Sequence, residues 1–404
     1  YLRLLFNLDR VPAEDLPYVG ILKNVLGYVD TEHYTYGELF NEINARSGGI
    51  LFGLQVFGNA KDHQDTMHMV GIKAKTLYKD LGFVFEMIKE IISTSKFEDD
   101  KRLYEIIAKM KSRMQMSMAS AGHSTAVARA LSYFSENAYF QEKTTGIDFY
   151  KFLDDIETNF QEKKEELKAN LNVLMGYVFR PENLTVSYTA DSEGYQYLEK
   201  EVEGLKQVLY TQEIKPGQFV PELKVKNEGF KTSGQVQYVA AAGNFREAGY
   251  EYTGALRILK VMLSYEYLWT NIRVKGGAYG CMSNFNRLGD GYFVSYRDPN
   301  LTRTIDVFEK AVEMDYRSHN TSTCGLHVHV SRSAFGKSYD EQEQAIGRVV
   351  FFVEKHWNEL VKFSRRTMDN LNHWAARYAT ISNTTEETYK KAKDKRLGRY
   401  VAVN

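Results

Sequence analysis

The sequence predicts an α+β protein made of two related units, each an antiparallel sheet packed by helices. Three observations predict it. Short apolar or alternating runs read as strands, and longer runs with helical spacing separate them. GCMSNFNRLGDGYFVSYRD, residues 280–298, carries LGDG between two strand arms, and hairpin-joined strands are antiparallel. Residues 211–228 hold two of the six prolines without any clear period, and strands and helices recur on both sides of them.

The elements follow in order. YLRLLFNLDRV is a strand, and Leu16, Val19, Leu22, Val25, Leu26 and Val29 recur at helical spacing within 13–29. TYGELFNEINARSGG is a helix stopped by Gly48-Gly49. ILFGLQVFGNA and HMVGIKAKTL are strands. Helices follow over 80–94, over 98–135 with an interruption at Ala121-Gly122, and over 148–178, where QEKKEELK is a solvated face. NLTVSYTA is a strand after a turn at Pro181, and EGYQYLEKEVEGLKQVL is a helix. The second round has the strand SGQVQYVAAAGNF, a helix from Thr253 to about Val274, the hairpin, and a helix from Leu301 to Val312. Residues 314–324 are polar and aperiodic; the strand GLHVHVS, helices over 339–362 and 364–380, and a short capped helix from SNTTEE complete the chain.

The totals exclude several classes. With 404 residues, 43% of them hydrophobic, the chain can form more than one sizeable core. A formal net charge of zero offers no global field for nucleic acid or an anionic membrane, and no apolar run is long enough to span one. The chain opens without Met or a basic leader and is read as a fragment that begins inside a strand. Two cysteines, Cys281 and Cys324, make no disulfide framework and suit a reducing compartment, and the expected location is cytoplasmic, of bacterial type. The sequons at Asn183, Asn300, Asn320 and Asn383 are therefore taken as chance matches.

Two stretches could carry chemistry. In RVKGGAYG, residues 273–280, a glycine pair frees the backbone between Arg273 and Tyr279. A guanidinium and a phenol aimed at one point would suit a carbonyl or a developing oxyanion; a helix C-cap with a surface Arg and a packed Tyr is the plainer alternative. In CGLHVHVSR, residues 324–332, His327 and His329 lie two apart and share one strand face. They could begin a metal site, or stand solvated or bonded to neighbouring backbone.

LWTNIRVKGGAYGCMSNF and GYFVSYRDPNLTRTIDVFEKA resemble the C-terminal half of the pitrilysin–insulinase family of zinc peptidases, nearest its presequence-protease branch. NLDRVPAEDLPYVGIL and GYVDTEHYTYGELFNEINARSGGI are similar to the third domain of that branch, so the resemblance covers about residues 1–313. It implies a clamshell half around a peptide-sized chamber, a zinc-bearing N-terminal half as partner, and peptide as substrate. Arg273 and Tyr279 would reach that active site as substrate and oxyanion contacts. The family's zinc motif is His-x-x-Glu-His, and none of the nine histidines starts or ends one; HWNEL at His356 has Leu360 where the second His should stand. The chain is therefore expected to bind no catalytic zinc and to be inactive alone, or to serve as a non-catalytic half-clamshell partner.

CGLHVHVSR, FFVEKHWNELVKFSRR, HWAARY and GRYVAVN resemble the amidoligase family, relatives of glutamine synthetase, over about 319–404. That implies a partial α/β ligase-like tail, with His327 as a Mg²⁺ ligand and His329 near the phosphates of ATP, for carboxylate–amine ligation. The basic run KKAKDKRLGR, 390–399, is read as an exposed helix face. The expected organisation is a third peptidase-family domain over 1–210, a linker over 211–228, a truncated fourth domain over 229–313, a junction over 314–323 and the ligase-like fragment over 324–404. A fusion of two truncated genes or an assembly artefact explains two families interrupted at one point better than a rearranged protein whose tail completes the sheet.

Overall fold

The computed structural model describes residues 1–59, 65–215, 217–232, 234–313 and 335–364. Contacts group the chain into two compact units, Tyr1–Ala311 and Val312–Asn404. The first unit holds two antiparallel sheets, as the hairpin and the alternating runs predict.

The first sheet consists of β1 (Leu2–Asn7), β2 (Ile50–Gly58), β3 (Thr66–Ala74) and β4 (Leu184–Tyr188) in the order β2-β3-β1-β4. Leu4 lies opposite both Ile72 and Val186, and Leu2, Leu4 and Phe6 are buried with Val70 and Ile72. The alternate row Leu51, Lys73 and Arg3 is exposed. This is the period of two that a half-buried sheet requires.

The helices of this half are α1 (Leu16–Val25), α2 (Tyr36–Arg46), α3 (Leu81–Thr94), α4 (Asp100–Ser120), α5 (Gly122–Leu131), α6 (Glu136–Thr145), α7 (Ile147–Thr158), α8 (Phe160–Val178), the short α9 (Ser192–Tyr195) and α10 (Leu198–Lys206). Thr35 and Glu38 form a capping box at the start of α2. The core joins Leu22, Val25, Phe85, Ile88, Leu171 and Leu174, with Phe6 edge-on to Phe179 at 5.0 Å.

The break expected at Ala121-Gly122 falls between α4 and α5. The helix expected over 148–178 is two, because Asn159 leaves helical geometry (φ −108°, ψ 30°) and its side chain donates back to Asp155 at 2.8 Å. α6 has no counterpart in the sequence reading. Its buried residues are Ala138, Phe140, Glu142 and Thr144, spaced by two because the helix is enclosed on several sides, so no helical period shows.

Residues 211–232 form no helix or strand where described, yet they lie along the first half. The Phe219 amide donates to the Asp9 carbonyl at 3.2 Å, and its ring meets His68 at 4.9 Å. Glu228 accepts from Arg129 at 2.8 Å and from the Tyr133 hydroxyl at 2.8 Å. Arg129, only 7% exposed, also meets Glu142 at 2.8 Å and Asp148 at 2.9 Å. Burial raises the Glu142 carboxyl above the ordinary range. Burial also pushes Asp148 up, but Lys143 and Arg129 outweigh it and hold that carboxyl low.

The second sheet has β5 (Ala240–Asn244), β6 (Gly280–Phe285) and β7 (Asp290–Tyr296) in the order β5-β7-β6. β5 is shorter than the strand expected over 233–245, with one bridge from Gln237 to Asp298 before it. The helix expected from Thr253 is α11 (Ala255–Met262) continued by two wider π-helical segments, Leu263–Tyr267 and Trp269–Val274. Buried Leu263, Leu268 and Ile272 are five and then four residues apart, which suits a wider turn. α12 (Thr302–Glu313) places Phe308 against Phe293, stacked at 5.6 Å.

α5 packs on this second sheet. A Cβ on Gly122 would lie 2.4 Å from the Tyr238 ring, and the His123 ring is 4.9 Å from Tyr296. The described part of the second unit is α13 (Tyr339–Lys355), capped by Ser338 and Glu341, and α14 (Trp357–Ser364). They replace the single helix expected over 339–362, broken at His356 (φ −107°, ψ 24°). The strand GLHVHVS and the helices expected beyond 364 lie outside the described residues.

Two ionic sites of the first half can be tested by unfolding. Arg129→Met leaves Glu142 buried without its cation and is expected to cost about 3–5 kcal/mol in urea unfolding. Burial pushes Glu90 up, but bonds from Thr31, the His33 amide and ring, and Thr94 outweigh it and hold the carboxyl at about 2. A depressed carboxyl stabilises the fold above its unfolded value and loses that contribution as pH falls toward 2. Glu90→Gln should therefore flatten the stability–pH curve between about pH 5 and 2.

Candidate functional site

The helix carrying Leu263, Leu268 and Ile272 must stop before β6, and Gly276-Gly277 stops it. Lys275 donates to the Thr270 carbonyl at 3.0 Å, Gly277 to Arg273 at 2.9 Å and Ala278 to Ile272 at 3.1 Å. Gly277 has φ +80°, where a side chain is strained. A Cβ on Gly276 would sit 2.3 Å from the Ile272 carbonyl oxygen. The C-cap anticipated from sequence is thus present.

The same loop brings Arg273 and Tyr279 together. Arg273 Nη1 donates to the Tyr279 carbonyl, and Arg273 Cζ lies 4.3 Å from the Trp269 ring centroid and 5.8 Å from that of Tyr279. Tyr279 is 67% exposed, and its hydroxyl has no partner among the described residues. The Tyr279 amide donates to the Tyr296 carbonyl at 2.9 Å, which fixes the backbone while the ring stays at the surface. Guanidinium and phenol therefore present hydrogen-bond donors on one exposed patch.

A buried carboxylate behind the patch holds the loop. Asp298 is 0% exposed; one oxygen accepts from the Thr304 hydroxyl at 2.7 Å and the other from the Asn300 amide at 2.8 Å. Its backbone pairs with Gln237 in both directions, at 2.8 and 3.1 Å. The Asn300 side chain donates to the Gly276 carbonyl at 2.6 Å. Arg297, just before Asp298, has φ +49°, the one non-glycine residue with positive φ among the described residues. Sequence reasoning missed Arg297, Asp298 and Asn300. The Asp-Pro pair in YRDPN signals a turn but not a left-handed arginine. Cys281 is buried beside the loop, and burial pushes its thiol up to about 11, a packing role rather than a nucleophilic one.

Among the described residues, no three His, Cys, Asp or Glu side chains are placed to hold a metal. His33 pairs with Glu90, His68 packs on Phe140 at 4.5 Å, His123 on Tyr296, and His356 follows α13 against Phe352. This donor set does not fit a catalytic zinc. His327 and His329 lie outside the described residues. Among the described residues, no helix is long and apolar enough to cross a membrane.

Comparison with known proteins meets the chain at this point. Residues 1–156 match the family model of the domain associated with subfamily C of the M16 peptidases, and residues 227–323 match the PreP C-terminal domain. These matches support the C-terminal half of an M16 peptidase as the class of protein this fold represents. Protein HypA of Clostridium perfringens is 37% identical over 309 residues, which are 76% of this chain and 32% of that protein. Presequence protease 1, chloroplastic/mitochondrial, of Arabidopsis thaliana is 26% identical over 314 residues, 76% of this chain and 29% of that protein. The chain thus spans about a third of the length of these relatives. The crystal structure of a conserved protein from Enterococcus faecalis V583 shares the fold, with a TM-score of 0.50 and 14% identity over 97% of this chain and 90% of that one. The PreP match runs past residue 313, into the stretch read as a junction. The comparisons do not support the amidoligase resemblance of residues 319–404.

Alanine at Gly276 and at Gly277 separates the two demands on the loop. Gly277→Ala meets only Pro299 Cγ at 3.6 Å and should cost about 1 kcal/mol from backbone strain. Gly276→Ala meets rigid backbone and should lower thermal stability by more, a ranking that a melting series reads directly.

Proposed function

We propose that this chain is the C-terminal half of a zinc metalloendopeptidase that degrades unstructured peptides, and that it supplies substrate contacts rather than the metal. The observation that carries this reading is the exposed pair Arg273 and Tyr279 on one glycine-terminated loop, in a chain similar to presequence proteases. Peptide hydrolysis develops negative charge on the carbonyl oxygen, and fixed donors aimed there lower the barrier. Arg273 would exchange its bond to the Tyr279 carbonyl for a substrate carbonyl, with Trp269 keeping the guanidinium plane in place. The Tyr279 hydroxyl is free to donate to the developing oxyanion. In this reading the share of Arg273 and Tyr279 is binding and charge stabilisation.

The purified chain alone should show no chelator-sensitive cleavage of an unstructured peptide; such cleavage would refute this division of labour. In the protein joined to its zinc-bearing half, Tyr279→Phe and Arg273→Ala should each lower kcat/KM by about 10²-fold, mostly through kcat for Tyr279. Full activity in both variants would instead leave the chain as a non-catalytic half-clamshell partner.

A further inference from the structure

Arg297 occupies a conformation that suits glycine or asparagine, at φ +49°. The corner it stands in is set by its neighbour: buried Asp298 is bonded through both carboxylate oxygens and both backbone groups. A residue selected for the fold alone would be glycine. An arginine here keeps a cation at the surface despite the strain, and strained residues that persist cluster at functional sites.

Among the described residues the cation has no anion. Neither Arg297 nor Arg273 has a carboxylate within 4.0 Å among the described residues, and Asp298, the nearest carboxylate in sequence, is committed to Thr304 and Asn300. Arg297 Cζ lies 5.5 Å from the Tyr296 ring centroid, and the rings of Tyr296 and Tyr279 are 6.4 Å apart. The Arg297 carbonyl also accepts from the Tyr279 amide at 3.4 Å. Two guanidinium groups without a carboxylate partner among the described residues thus lie near aromatic rings, Arg273 by Trp269 and Arg297 by Tyr296, and the Tyr296 ring neighbours that of the exposed Tyr279.

We propose that Arg297 is a specificity-determining residue that binds a carboxylate of the peptide whose backbone is held at Arg273 and Tyr279. The inference rests on the peptide-binding reading of that pair. A planar guanidinium matches a carboxylate in two parallel bonds, and an aromatic floor fixes its plane. The carboxylate comes from an acidic side chain or from the peptide C-terminus, and the two sources call for different peptides.

The test uses the purified chain and calorimetric titration at low salt. Four peptides share one sequence, with Glu or Gln at the centre and a free or amidated C-terminus. The chain should bind the peptides bearing the preferred carboxylate about tenfold tighter, with the preference shrinking as salt rises. A preference that follows Glu identifies the side chain as the source, and one that follows the free terminus identifies the C-terminus. Arg297→Gly should abolish the preference while leaving binding of the neutral peptide and the melting temperature near their original values. Arg297→Lys should keep part of it. Should the glycine variant fail to fold, Arg297→Asn, which also tolerates positive φ, carries the same comparison. Equal affinity for all four peptides, or a preference that survives Arg297→Gly, overturns this role and leaves Arg273 and Tyr279 untouched. Binding of no peptide at all overturns both.

Discussion

Arg129 meets three carboxylates drawn from three separate segments: Glu142 on α6, Asp148 on α7 and Glu228 in the extended stretch before the second sheet. One guanidinium supplies enough N–H donors to satisfy all three, which an ammonium on a flexible stem would do less well. Lys143 adds a second cation to Asp148 at 3.0 Å. Lys226 adds a third to Glu228 at 3.8 Å, and burial still raises the Glu142 carboxyl. Such a cluster adds little stability over an apolar replacement, but losing its one buried cation is costly. Its effect here is to specify geometry: the chain between the two sheets is held against the first one instead of drifting as a tether.

α5, which carries Arg129, is also the helix on which the second sheet rests, through Gly122 under Tyr238 and His123 against Tyr296. The ionic cluster and the aromatic contacts lie on the same short helix. Tyr296 in turn hydrogen-bonds the Tyr279 backbone. A chain of direct contacts therefore runs from the buried guanidinium to the surface patch, and the patch inherits its position from the first half of the molecule. Aromatic contacts of this kind are worth about 0.5–1.5 kcal/mol each, enough to orient without locking.

Strand and helix order was legible because each sheet has one buried face and its helices show an apolar stripe. Legibility failed where that condition failed. α6 is enclosed on several sides, so its buried positions alternate like a strand's. The break at Asn159 depends on a side-chain bond, and the π-helical segments depend on a five-residue apolar spacing that a search for 3.6 passes over. At the candidate site, Arg273 and Tyr279 were visible because glycines mark the loop between them. Arg297, Asp298 and Asn300 were not, since a left-handed backbone and a buried carboxylate are products of the corner they occupy. The linker composition of 211–228 concealed that Phe219 and Glu228 are anchors, because one aromatic and one acid in a polar stretch carry no period.

The patch has a fixed rear and an unfilled front. Behind it, Asp298 and Asn300 direct every described bond to backbone and to Thr304, so the loop is held before anything binds. In front, a phenol hydroxyl and two guanidinium groups have no anionic partner among the described residues. Donors held rigid yet unsatisfied gain most from an acceptor, since the ordering cost has already been met by the fold. That asymmetry is what the proposed contact surface would use. Under the proposed reading, the acceptor these donors would meet is a carbonyl oxygen of a bound peptide.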